Sequence, residues 1–181
     1  MNRSWGFTLL ELIIVIALMG IMASVITVSI RPRPANERKE FLASLNALLA
    51  LGWREALITR NVHKIEFDFA KNSVVLQKKI ENESSKSGMQ FIPVKSKYTE
   101  NYIKWPKNLE VQQFLIEGKN EMGGLRKEAV WFYIMPDGSA QDIIINLIDV
   151  KDKMPNKQSR QVGWVLNPFS VQFTEYGSFQ K

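Results

Sequence analysis

Gly6-Phe7-Thr8-Leu9-Leu10-Glu11-Leu12-Ile13-Ile14-Val15-Ile16-Ala17-Leu18-Met19-Gly20-Ile21-Met22-Ala23-Ser24-Val25-Ile26-Thr27-Val28-Ser29-Ile30 is the stretch on which the reading of this chain turns. From Phe7 to Ile30 it carries one charge, Glu11. A helix over residues 7–30 is about 36 Å long at ~1.5 Å per residue, enough to cross a hydrocarbon core of about 30 Å. A secretory signal has a shorter apolar stretch, roughly 7–15 residues, and ends at a small-residue cleavage site. This one is too long for that and reads as an anchor that stays.

Glu11 is the anomaly. A carboxylate near a helix centre in lipid costs about 2.5–3.5 kcal/mol on insertion scales, so an acid within such a segment points to function. Either Glu11 lies close enough to the helix end to reach the headgroups, or it meets a cation inside the membrane. No basic residue lies within the segment. A cut before Phe7 would create a charged amine about one helical turn from Glu11. In an assembly of staggered helices that amine meets the Glu11 of a neighbour.

Gly6-Phe7-Thr8-Leu9-Leu10-Glu11-Leu12 followed by a long apolar run resembles the class III signal of type IV pilins and type II secretion pseudopilins. The resemblance implies that a prepilin peptidase cleaves after Gly6 and N-methylates the amine of Phe7. It also implies that Glu11 sets assembly register by pairing with the Phe7 amine of an adjacent subunit. A charge left alone in hydrocarbon is expensive, so the correctly staggered pair is the favoured arrangement. Implied partners are the peptidase, other pilin or pseudopilin subunits and an inner-membrane assembly platform. The implied location is the bacterial inner membrane, single-pass, with the globular part in the periplasm. The charge bias runs the other way: only Arg3 precedes the segment, whereas Arg31, Arg33, Arg38 and Lys39 follow it. A plain positive-inside reading would keep the large domain in the cytoplasm; the specific leader outweighs that tendency.

The whole chain has 181 residues, 45% of them hydrophobic, and a formal charge of +6. About 150 residues remain beyond the anchor, enough to bury a core of their own. The absence of cysteine excludes disulfides, thiolate metal sites and cysteine nucleophiles. The organisation read from the sequence is a leader at 1–6, a transmembrane helix at 7–30, a proline-containing break and amphipathic helix at 31–60, and a β-rich domain at 61–181.

Arg31-Pro32-Arg33-Pro34 predicts a kink or break, since each proline removes a backbone donor and disfavours helical geometry before it. Asn36 is then the expected cap of a second helix. Phe41, Leu45, Leu48, Leu49, Gly52, Trp53 and Ala56 give that helix one apolar face through about Thr59. After Asn61 the period becomes two: Ile65, Phe67 and Phe69 alternate with Lys64, Glu66 and Asp68, and Ala70–Ser73 turns the chain into Val74-Val75-Leu76. A polar loop at 81–88 and strands at 89–94, 101–105 and 109–116 follow, then a loop from Glu117 to Gly124. Ala129–Met135 predicts a strong strand, Pro136-Asp137-Gly138-Ser139 a tight turn, and Ile143–Ile148 the next strand. A basic loop from Lys151 to Arg160 precedes strands at 162–167 and 170–175. The expected class is α+β, pilin-like: a membrane helix, then an amphipathic helix packed on an antiparallel β-rich domain. Trp53–Arg60 leading into Val62–Phe69, the turn within Phe132–Ser139, and the ending from Val165 through Gly177 resemble the GspH/FimT family of H-type minor pseudopilins.

No phosphate loop, nucleophile elbow or catalytic triad is present, so no enzyme and no cofactor are expected. His63, the single histidine, is expected to be structural or exposed, because zinc needs further histidine or cysteine ligands. Asp137 and Asp142 flank Gly138 without the acid spacing of a calcium loop, and Pro-Asp-Gly-Ser is an ordinary turn sequence. Two functions follow. The first is a minor pseudopilin that starts or caps a type II secretion pseudopilus. The second is a minor type IV pilin of the FimT sort with a DNA-uptake or adhesive role, in which Lys151, Lys153, Lys157 and Arg160 contact phosphates. Asp149 and Asp152 dilute that charge, so nucleic acid is not the expected principal partner. An unprocessed single-pass protein would keep Met1.

Overall fold

The computed structural model describes residues 9–29, 34–81, 89–95, 101–123 and 128–181. Gly6, Phe7, most of the break at 31–34 and most of the polar loop at 81–88 lie outside the described residues. The chain divides into two compact units, Met1–Arg33 and Pro34–Lys181.

In the first unit, α1 is a helix over Leu9–Ser29. Its large apolar side chains are exposed along the described length, from Leu9 at 78% to Met22 at 67%. A helix that is apolar all round belongs in lipid or among other apolar helices.

The second unit begins with α2, Pro34–Thr59. Proline suits the first helical position, where its missing N–H has no partner to lose. Asn36 therefore lies inside the first turn, which corrects its expected place as the cap. Phe41, Leu45, Leu48, Leu49 and Ala56 are buried as the periodicity predicts. Gly52 is buried between them because a Cβ there would lie 2.9 Å from Leu76 Cδ1 and 3.0 Å from Ile134 Cδ1. Trp53 sits at the border of the face, 37% exposed. By length and composition α2 also passes for a membrane span. Its buried face makes it the core helix of the domain instead.

Among the described residues ten strands follow: β1 His63–Asp68, β2 Ser73–Glu81, β3 Met89–Pro93, β4 Tyr102–Lys104, β5 Leu109–Ile116, β6 Lys119–Asn120, β7 Ala129–Ile134, β8 Ile143–Lys153, β9 Ser159–Asn167 and β10 Gln172–Tyr176. One antiparallel sheet has the order β3-β2-β1-β7 with β4 also on β2; the other runs β10-β9-β8-β5-β6. The α+β class is as expected, with α2 packed against strands of both sheets. β1 places His63, Ile65 and Phe67 inward and pairs Phe67 with Val74, so the predicted hairpin forms. The Pro136–Ser139 turn forms too: Gly138 takes φ 85 and its N–H donates to Met135 O at 2.9 Å. Two loops differ from expectation. Residues 117–124 contain the short strand β6, and the basic stretch 151–160 is strand at both ends. The pairing of β8 with β9 overrides its polar composition, which reads as loop.

Aromatic rings join the layers. Phe41 meets Trp105 at 5.1 Å between centroids, Phe67 meets Phe114 at 5.1 Å, and Trp105 meets Trp164 at 6.1 Å. The indole of Trp105 donates to Leu109 O at 2.8 Å, so its burial leaves no donor unmet. Side-chain amides cover strand edges that would otherwise invite pairing. Asn46 of α2 accepts from Phe173 N at 2.8 Å and donates to Phe173 O at 3.0 Å, covering β10. Gln141 accepts from Tyr133 N at 3.1 Å on β7.

His63 is fully buried, with Nδ1 3.0 Å from Asn61 O and Nε2 without a partner among the described residues. Burial lowers its pKa below the usual 6.5, despite the opposing Asn61 contact. The unfolded chain therefore takes up a proton first as pH falls. Stability is full above about 6.5 and declines as pH drops from there toward the depressed folded value. Thermal melts from pH 7.5 to 5 should show this decline, and His63→Gln should flatten it; an equal decline in both proteins would refute the assignment.

Candidate functional site

The first candidate site is the start of α1. Glu11 lies in the first turn of the helix and is exposed. That position puts its carboxylate at the N-terminal end, where the helix dipole favours negative charge. Large apolar side chains follow it along the helix: Leu12, Ile13, Ile14 and Ile16 are all exposed.

The second candidate is the basic stretch at 151–160, which the structure gathers into one hairpin of β8 and β9. Its turn is closed by Met154 N–H donating to Gln158 O at 2.9 Å and Lys157 N–H donating to Met154 O at 2.8 Å. Lys157 takes the left-handed φ of 64 at the turn. The four cations are not equivalent. Lys151 pairs with Glu37 of α2 at 3.2 Å, and Arg160 pairs with Asp152 at 2.7 Å. Lys153 donates to the Ser159 hydroxyl at 2.7 Å, and Lys157 is exposed with no ion pair among the described residues.

Beneath that hairpin lies a charge cluster that the sequence reading missed. Arg38 of α2, 4% exposed, reaches Asp149 at 2.8 Å, Asp152 at 3.0 Å and Glu175 at 3.1 Å. Glu175 Oε2 also accepts from the Trp164 indole at 3.1 Å, and fully buried Asp149 accepts from Asn108 at 3.0 Å. Burial works against the Arg38 charge, but the hydrogen bonds to Glu175, Asp152 and Asp149 outweigh it and raise its pKa. Burial likewise opposes the Asp152 charge, and donation from Arg38 and Arg160 overcomes it, holding that carboxyl below its usual range. Asp149 Oδ1 further accepts the N–H groups of Lys151 and Asp152, at 3.2 and 3.3 Å, where β8 bulges against β9. The cluster ties the start of α2 to the second sheet. The one local signal was Arg38 in a helix whose later turns are apolar; its partners lie more than a hundred positions away.

The remaining candidates resolve locally. Asp137 accepts from Ser139 N–H at 2.9 Å and from its hydroxyl at 2.7 Å, which lowers its pKa and closes the turn. Among the described residues no three His, Cys, Asp or Glu side chains gather into a metal site.

The family model for the prokaryotic N-terminal methylation motif matches residues 1–27. The chain opens with a prepilin-type methylation motif. The resemblance read from Gly6 to Leu12 is thus borne out over that segment. Among solved structures, the minor pseudopilin EpsH from the type 2 secretion system of Vibrio cholerae is similar, at 13% identity and a TM-score of 0.49. The match covers 77% of this chain and 95% of that one. No curated protein matches the sequence.

Proposed function

We propose that this chain is a minor pseudopilin, a structural subunit of a type II secretion pseudopilus acting at assembly initiation or at the tip. A prepilin peptidase cleaves it between Gly6 and Phe7 and methylates the Phe7 amine. α1 then lies in the inner membrane with the β-rich domain in the periplasm, and Glu11 meets the Phe7 amine of a neighbouring subunit. The observation that carries this reading is the methylation motif running directly into an all-round apolar helix with its acid in the first turn. The charge attraction that fixes stagger is strong there because lipid screens it poorly.

The alternative, a minor type IV pilin of the FimT sort, needs the 151–160 hairpin to hold DNA or a surface. Ion pairs already engage Lys151 and Arg160, which weighs toward the secretion reading. Co-expression with a prepilin peptidase tests the processing step. The wild-type chain should lose its first six residues, and Gly6→Leu, which places a bulky side chain at the cut, should remain almost wholly uncleaved. Equal processing of both would refute the site.

A further inference from the structure

The geometry points to the β8–β9 hairpin as a contact site for an anionic bilayer surface, an inference that rests on the membrane reading of α1. Three observations carry it. First, the hairpin presents Lys153 and Lys157, which make no ion pair among the described residues, beside the ion-paired Lys151 and Arg160, around a tip where Pro155 is exposed and Met154 half-buried. Asp152 is shared between Arg160 at 2.7 Å and Arg38 at 3.0 Å, and Glu37 answers Lys151 at 3.2 Å, which leaves Lys153 and Lys157 as the cations open to a surface. Cations around a small apolar tip are the composition that a headgroup layer accepts, with charge at the phosphates and apolar atoms below.

Second, the hairpin is held rather than loose. The Arg38 cluster fixes the base of β8 through Asp149 and Asp152, and Lys151 bonds to Glu37 at 3.2 Å. The turn bonds of Met154, Lys157 and Gln158 fix the tip. Preorganised cations lose little freedom on meeting a surface. Third, the tether is short. Glu37 follows Ser29, the last residue of α1, by eight residues. Eight residues reach at most about 28 Å, which limits how far the start of α2 can lie along the chain from the end of α1. A nucleic acid would feel the same cations, but it has no use for the apolar tip and no tether to raise its local concentration.

The absence of cysteine makes the test direct. Asn156→Cys in the full-length chain gives one labelling site at the hairpin tip. Lys119→Cys, on β6 at the opposite end of the β8 ladder, gives a control. Each carries an environment-sensitive fluorophore, with the chain inserted in nanodiscs of phosphatidylcholine with or without phosphatidylglycerol. The tip label should report a less aqueous setting only with phosphatidylglycerol, the response should fade at high salt, and the control should not change. Lys153→Gln with Lys157→Gln should lower the docked-to-free ratio about 25-fold, at about fivefold per cation, whereas Lys153→Arg with Lys157→Arg should keep the response. A tip label blind to phosphatidylglycerol in an inserted chain would overturn the inference. So would a response to duplex DNA that anionic lipid does not produce. Failure of the chain to insert at all would instead overturn the membrane reading beneath it.

Discussion

Arg38→Met is expected to destabilise the folded domain by about 3–5 kcal/mol, the range for removing one member of a buried ion pair. The reason is what remains. Asp149 is fully buried, and its carboxylate would keep only Asn108 and two backbone N–H groups at 3.2 and 3.3 Å. Glu175 would keep the Trp164 indole, and Asp152 would keep Arg160. The loss should therefore be much larger than for Lys151→Gln, which breaks an exposed pair worth no more than about 1 kcal/mol. Lys at position 38 should restore little, since an ammonium cannot present the guanidinium fork to three carboxylates. Combining Arg38→Met with Asp149→Asn should recover part of the stability, because the stranded charge goes with its partner. Urea unfolding followed by tryptophan fluorescence checks the series; an Arg38→Met protein within 1 kcal/mol of wild type would show that the cluster does not hold α2 to the sheet.

Glu11→Leu should leave membrane insertion intact or improved while lowering subunit association about 30-fold. Insertion improves because a carboxylate leaves the apolar segment, a gain of up to about 2.5–3.5 kcal/mol on insertion scales. Association weakens because a charge-assisted bond, worth about 2 kcal/mol, no longer forms with the neighbouring amine. The opposite signs make the experiment informative, since a merely misfolded helix would lose both. Glu11→Asp should give an intermediate result, as its shorter side chain keeps the charge but misplaces it. Crosslinking of full-length chains in membranes, alongside carbonate extraction to score insertion, separates the two effects. Unchanged crosslinking in Glu11→Leu would remove Glu11 from the assembly role.

What was legible in the sequence was what local periodicity encodes. The face of α2 at Phe41, Leu45, Leu48, Leu49 and Ala56, the alternation of β1, and the Pro136–Ser139 turn all follow from spacing within a few residues. The start of α2 was misplaced because two helix-start signals compete there, a proline at the first position and an asparagine after it. The basic stretch 151–160 read as a loop because its residues are polar; pairing of β8 with β9 makes its two ends strand around a turn. Asn46 and Arg38 were invisible as structural residues for a common reason. Their partners, Phe173 for one and Asp149, Asp152 and Glu175 for the other, are brought near only when α2 packs against the second sheet. The methylation motif was legible because it is written in adjacent residues, with a glycine, a phenylalanine and a glutamate at fixed spacing before an apolar run.

The central claim is that the mature protein begins at Phe7 with a methylated amine placed to meet Glu11 of a neighbour. Intact-mass and N-terminal fragment spectrometry of protein purified from its native membrane tests it most directly. The account predicts a chain lacking Met1 through Gly6 whose first residue is N-methyl-Phe7; a mature chain that retains Met1 or Arg3 would contradict it.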